Sequence, residues 1–258
     1  MSHELPGQLW KSLTSTIGLV SVRTGDRVNV MSAEWSYFVN KDPLYVAVVL
    51  GPSSDTRRLL TAGDQFSVTF CSEDQAELAD FAGSFSTTDI DKTTSELVTF
   101  GEPEVTDTPW VKGGLLALEC ELRDIVPFPV HQMFVGEAVA AHVPPTSGPP
   151  LVKHGPMYTL GAPVQRTAVV AAAQYIDDET IRVAATGPAA EVDEWRITLT
   201  GRDGEDVDLG THPSAEYGDF LADLSLPQSA RSHDGARVRV ERPGAKPGFA
   251  RLAPRRPA

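Results

Sequence analysis

Cysteine is nearly missing from this 258-residue chain: only Cys71 and Cys120 occur. Neither stands in a C-x-x-C or Cys/His spacing, which excludes a zinc knuckle or a dithiol redox pair and leaves two reduced core thiols as the expectation. The six histidines, His3, His131, His142, His154, His212 and His233, form no H-E-x-x-H or facial-triad pattern, so no metal centre is expected. There is no G-x-G-x-x-G and no G-x-x-x-x-G-K-[ST], which excludes a Rossmann or P-loop site. A nicotinamide nucleotide would therefore bind without a dedicated domain. The absence of G-x-S-x-G removes a hydrolase nucleophile elbow, and scattered carboxylates such as Glu102 and Glu104 suit a solvated surface better than a hydrolytic pair. The longest apolar run, Leu44 to Leu50, is too short for a bilayer, and MSHELPGQLW lacks the basic and apolar regions of a signal peptide. A soluble, cytoplasmic protein is expected. Basic residues are also scarce. Lys and Arg number 22 against 35 Asp and Glu, a net charge of −13, which argues against nucleic acid or an anionic membrane surface as partner.

What is present centres on Asn29 to Leu60. The stretch reads as a polar loop, a buried strand and a helix start. Tyr45 to Leu50 is a continuous β-branched and apolar run, as in a strand buried on both faces, and Pro43 fixes its start. Gly51-Pro52 stops it. Ser53, Ser54 and Asp55 then offer N-caps for a short helix over Thr56–Ala62, closed by Gly63. A helix start presents unpaired N–H groups and a positive dipole end. With hydroxyls at Ser53, Ser54 and Thr56 and guanidinium groups at Arg57 and Arg58, it suits a phosphate, although the same residues also make an ordinary capped surface helix. Residues 1–164 carry 10 basic against 20 acidic side chains, and residues 165–258 carry 12 against 15. An anion bound in the acidic half would need such a local basic anchor.

The 41% hydrophobic content and the length suggest two domains. In the first, Leu9–Leu13 reads as a helical turn, Thr16–Thr24 and the segment from Val28 as a hairpin turning at Gly25-Asp26, and Gln65–Phe70 as a strand. Ser72 and Gln75 have capping-box spacing before a helix that buries Leu78, Phe81 and Ala82 and ends at Gly83. Along Leu115–Ile125, Leu116, Leu118, Cys120 and Leu122 alternate with Glu119, Glu121 and Arg123, which predicts a half-buried strand. Pro144–Pro150 is a loop. Beyond Val164, strand-like runs at Thr167–Ile176, Ile181–Ala185, Trp195–Thr200, Phe220–Leu226 and Ala236–Glu241 are separated by turns at Asp177-Asp178, Gly201–Gly204 and Asp234-Gly235. They predict a small immunoglobulin-like β-sandwich over 164–250, anchored by Trp195, Ile197, Leu199, Phe220, Leu224, Val238 and Val240, with a loosely attached tail over 251–258.

Five segments share an order and spacing. NVMSAEW places Asn29, Met31, Ser32 and Trp35 in an N-x-M-[ST]-x-x-W-like pattern, and Ser54, Thr56 and Leu60 fill S-x-T-x-x-x-[IL]. Gly83, Ser84, Ser86, Asp91 and Lys92 fill G-S-x-S-x-x-x-x-D-K, with Thr93 where an aromatic is usual. His131, Phe134, Val135, Gly136, Glu137 and Ala138 fill H-x-x-[FV]-[VI]-G-E-[VA], and Pro150, Leu151, His154, Tyr158 and Gly161 fit a closing segment. Over about residues 12–162 the chain resembles the flavin reductase-like family of FMN-binding split barrels. The resemblance implies a mainly β fold: an antiparallel split barrel with a few short helices, over 1–163. It also implies a homodimer with one FMN per subunit, FAD being the alternative, and hydride transfer from NADH or NADPH to the flavin. The reduced flavin would serve an acceptor or a partner oxygenase. Asn29, Met31, Ser32 and Trp35 would lie along the ring, Ser54, Thr56, Arg57 and Arg58 at the phosphate, and Ser84, Lys92 and the catalytic His131 would line the site.

Two other classes fit the same residues. One is a flavin carrier or sensor that uses no nicotinamide and docks a protein partner through the C-terminal sandwich. The other is a structural protein with an empty barrel.

Overall fold

The structure, a computed structural model, describes residues 7–87, 89–162, 166–201, 204–215, 218–228 and 236–253. His3, His233, the Asp234-Gly235 turn, part of the Gly201–Gly204 turn, the expected join at 163/164 and the tail from 254 lie outside the described residues. By its contacts the chain divides into two compact units that meet between Gly161 and Ala162.

The first unit contains β1 (Ser15–Thr16), β2 (Gly18–Thr24), β3 (Arg27–Ala33), β4 (Trp35–Lys41), β5 (Leu44–Leu50), α1 (Asp55–Ala62), β6 (Gln65–Phe70) and α2 (Ala76–Ser84). It continues through β7 (Phe100–Gly101), β8 (Trp110–Val111), β9 (Leu116–Pro127), β10 (Gln132–His142), β11 (Leu151–Lys153) and β12 (Met157–Thr159). Seven antiparallel strands form one sheet in the order β3-β2-β6-β9-β10-β5-β4. Its two outer members, β3 and β4, are separated in the chain by Glu34 alone. The sheet must therefore curl until its ends nearly meet, which makes it a split barrel.

Alternation sorts the side chains into two clusters. Val20, Val22, Val46, Val48, Phe66, Val68, Leu118 and Phe134 fill the interior, with Leu60 of α1 inserted among them. Ile17, Leu19 and Val30 face outward and are covered by Leu78, Ala79 and Ala82 of α2. Gly136 is needed for space. A Cβ there would lie 2.5 Å from the Phe66 ring inside the barrel.

Several expectations are corrected. The segment after Asn29 is not a loop: it supplies most of β3 and all of β4. β4 hides from pattern reading because residues 37–41 are all exposed on an edge strand. The capping box does not form. Ser72 Oγ donates to Gly113 O at 2.8 Å and Gln75 Nε2 to Lys112 O at 2.9 Å, so both side chains hold the segment before β9. α2 runs one residue past Gly83, and Phe81 is only half-buried, beside Phe85. Both cysteines are free and buried, and burial pushes Cys71 up to about 12 and raises Cys120 as well.

The second unit contains β13 (Val170–Tyr175), β14 (Thr180–Thr186), β15 (Glu194–Thr200), β16 (Asp206–Pro213), β17 (Phe220–Ser225), β18 (Arg237–Glu241) and β19 (Gly248–Ala253). The order β16-β15-β18-β19-β13-β14-β17 is antiparallel throughout except for the parallel pairing of β13 with β19. One core joins Ile181, Val183 and Phe220 to Trp195, Ile197, Leu199, Val238 and Val240, so the two halves lie face to face as an immunoglobulin-like sandwich. Pattern reading missed β16 and β19. The expected tail from 251 is wrong at its start, because Arg251 and Leu252 belong to β19 and Leu252 is buried.

Candidate functional site

Ser54 has an extended backbone and caps α1, its Oγ accepting from Arg57 N at 3.3 Å. The same hydroxyl donates to Met31 Sδ at 2.7 Å, and Asn29 Nδ2 donates to Thr56 Oγ1 at 2.7 Å. Alternating residues of β3 thus hold the first turn of α1. Asn29 and Thr56 are buried, and Asn29 Oδ1 has no hydrogen-bond partner among the described residues.

The opposite wall is the segment after α2. Lys92 is buried, and its ammonium donates to Ala82 O at 3.1 Å and Phe85 O at 2.8 Å, which fixes the end of α2. Burial lowers its pKa, opposed by the charges of Asp55 and Asp89. Asp89 accepts from Ser86 N at 2.8 Å and Ser86 Oγ at 3.0 Å, and these bonds hold its pKa down. Thr87 Oγ1 donates to Asp55 of α1 and so joins the two walls.

Between them lies a cavity of about 320 Å³ whose lining includes Asn29, Met31, Ser54, Thr56, Ser84 and Lys92. Past Gly83 and Ser84 it adjoins a hollow of about 230 Å³ that contains Ser32, and past Asn29 and Thr87 another of about 260 Å³ that contains Arg27 and Arg58. The three hollows share these lining residues, and the word furrow denotes the three together. Arg58 Nε stands 3.4 Å from Asp55 Oδ1.

Three expected site residues fall elsewhere. Trp35 and His131 pack together with ring centroids 5.1 Å apart, beside Gly51 in the loop before α1, and neither lines the furrow's three hollows. Arg57 points towards the turn between β9 and β10 and also lines none of them. Adjacent helical residues differ in direction by about 100°, and here Arg57 and Arg58 go to different partners.

Pattern reading missed Arg27, Thr87 and Asp89, which no apolar period marks. It also placed Glu119 in water. Its carboxylate is fully buried and accepts from Glu104 N (2.7 Å), Val105 N (3.0 Å), Thr106 N (2.7 Å), Thr106 Oγ1 (2.9 Å) and His142 Nε2 (2.7 Å). His142 stacks on Trp110, ring centroids 4.5 Å apart, and both line a separate hollow of about 520 Å³. This arrangement clamps the segment between β7 and β8 onto the barrel. The one early signal was a glutamate on each side of Cys120 in an otherwise apolar run.

Part of the chain is similar to known proteins. An FMN-binding protein from Thermus thermophilus, solved with bound 1-cyclohex-2-enone, is 27% identical with a TM-score of 0.55, covering 63% of this chain and 97% of that one. Flavoredoxin from Methanosarcina acetivorans is 23% identical, TM-score 0.55, covering 64% and 94%. An NADH:FAD oxidoreductase from Streptomyces globisporus, solved with NAD and FAD fragments, is 21% identical, TM-score 0.54, covering 60% and 90%. An uncharacterised protein of Pyrococcus abyssi is 28% identical over 120 residues, which are 45% of this chain and, at 66%, just under two thirds of that protein. The model of the flavin reductase like domain matches residues 10–161. More than half of the chain lies in that match, and the protein belongs to the flavin reductase-like family.

Proposed function

We propose that the first unit binds FMN in the furrow between α1 and the segment after α2 and acts as a flavin reductase. The donor is NADH or NADPH, and the reduced flavin serves an acceptor or a partner oxygenase. The observation that carries this reading is the cavity between the two walls, where hydroxyls of Ser53, Ser54, Thr56 and Ser84 gather at the start of α1.

The residues present fit the group. The first N–H groups of α1 and the hydroxyls of Thr56 and of Ser54, the latter turning from Met31, would hold the phosphate, with Arg58 lining the hollow past Asn29 and Thr87. Met31 offers an apolar contact, and Ser32 and Ser84 line the adjoining hollow. Lys92, held by carbonyl oxygens, contributes positive potential without a direct contact. When bound, the flavin supplies the ring that accepts hydride, and the protein's part is to bind, orient and exclude water. His131, beside Trp35, would face the incoming nicotinamide. No general base is required.

An absorption spectrum with and without added FMN tests the binding. Anaerobic bleaching by NADH or NADPH tests the reduction. A protein that holds FMN and is bleached by neither donor is a carrier, and one that takes up no FMN overturns the reading.

A further inference from the structure

The guanidinium of Arg57 leaves the furrow and crosses to the turn between β9 and β10. There Nε donates to Gln132 Oε1 at 2.6 Å and Nη1 to Val130 O at 3.0 Å. Those two residues flank His131. The turn is otherwise closed by Phe128 N donating to His131 O at 2.9 Å, and it exposes Phe128 and Val130 to solvent. Three pieces of chain meet at the imidazole: the start of β4 through Trp35, the loop before α1 through Gly51, and this turn. Arg57 ties the turn back to the first turn of α1, the same turn whose cap residue, Ser54, lines the furrow.

We propose that Arg57 is a positioning residue for His131 and takes no part in holding the phosphate. Its planar fork gives two donors in fixed directions, one for a side chain and one for a backbone carbonyl, and so sets the turn's place relative to α1. An ammonium on a flexible stem would set neither direction. The proposal rests on the furrow being the flavin site, and one of its tests works without flavin.

Three full-length proteins decide it: the unmodified chain, Arg57→Ala and Gln132→Leu. The second variant keeps the guanidinium and removes one of its acceptors, so it tests the same contact should Arg57→Ala fold poorly. The ring C–H resonances of His131, assigned by their loss in His131→Ala, are displaced by the neighbouring Trp35 ring and should move in both variants. Anaerobic flavin reduction at saturating nicotinamide should slow roughly 10-fold in Arg57→Ala and about 3-fold in Gln132→Leu, with the preference for FMN over riboflavin unchanged. Unmoved His131 resonances in both variants overturn the proposal. So does a collapse of the FMN preference in Arg57→Ala that Gln132→Leu does not share, because that pattern belongs to a phosphate anchor. Should the unmodified protein bind no flavin, the functional reading falls and the resonances alone decide the positioning role.

Discussion

A carboxylate with no exposed surface is stable at Glu119 because its donors outweigh its burial. Burial pushes the pKa up, while N–H groups of residues 104–106 and His142 pull it down, to about 2 from an ordinary 4.5. A folded pKa below the unfolded one means stability that is present above about pH 4.5 and lost as pH falls towards 2. Glu119→Gln should therefore destabilise the first unit at pH 7 by on the order of 2–3 kcal/mol, and the gap should narrow between those two pH values. Denaturant unfolding of both proteins across that range measures it, and a gap independent of pH would remove the charge from the explanation. At His131 the expected effect is on rate. His131→Ala should keep flavin affinity and slow anaerobic reduction about 10- to 100-fold, read by stopped-flow bleaching. A lower melting temperature with an unchanged rate would make it a purely structural residue. Ser54 and Thr56 were legible because hydroxyls at a helix start cap it or meet an anion, whereas Asn29, 25 residues earlier in the chain than Ser54, was legible only through the family resemblance. Glu119 was not, because alternation treats the second face of a strand as water, and here the segment between β7 and β8 covers it.

At the scale of elements, α1 is where stability and binding share atoms. Ser54→Ala removes both the cap to Arg57 N and the contact with Met31, and should cost about 1 kcal/mol in thermal unfolding. It should also narrow the preference for FMN over riboflavin, which a charge-assisted phosphate contact sets at about 1.5–3 kcal/mol. Titration of the two flavins against both proteins tests this, and equal affinities in the unmodified chain would remove the phosphate from the site. The strand bounds of β6 were readable to the residue from the apparent alternation of QFSVTF, although in the fold every residue after Gln65 is buried. β4 and β16 were not. Each lies at the edge of its sheet, and β16 also carries Gly210 at positive φ opposite an irregularity in β15, so neither shows a clean period of two.

At the scale of the whole molecule, each unit has a core of its own, one made from residues before 152 and one from residues after 168. A chain ending at Gly161 should therefore fold, bind flavin and, if the family's homodimer holds, sediment as a dimer. A folded, flavin-free monomer would contradict both the placing of the flavin site within the first unit and the dimer. The order of the first sheet carries one more consequence, which concerns synthesis. β3-β2-β6 and β5-β4 are both complete once residue 70 has been made, and only the β9–β10 hairpin, ending at His142, bridges them. At 5–20 residues per second the growing chain waits between roughly 4 and 15 s with β6 and β5 each presenting an unpaired edge. A ribosome that stalls in that interval holds two sticky half-sheets, so the passage from residue 70 to His142 is where this protein most needs a chaperone.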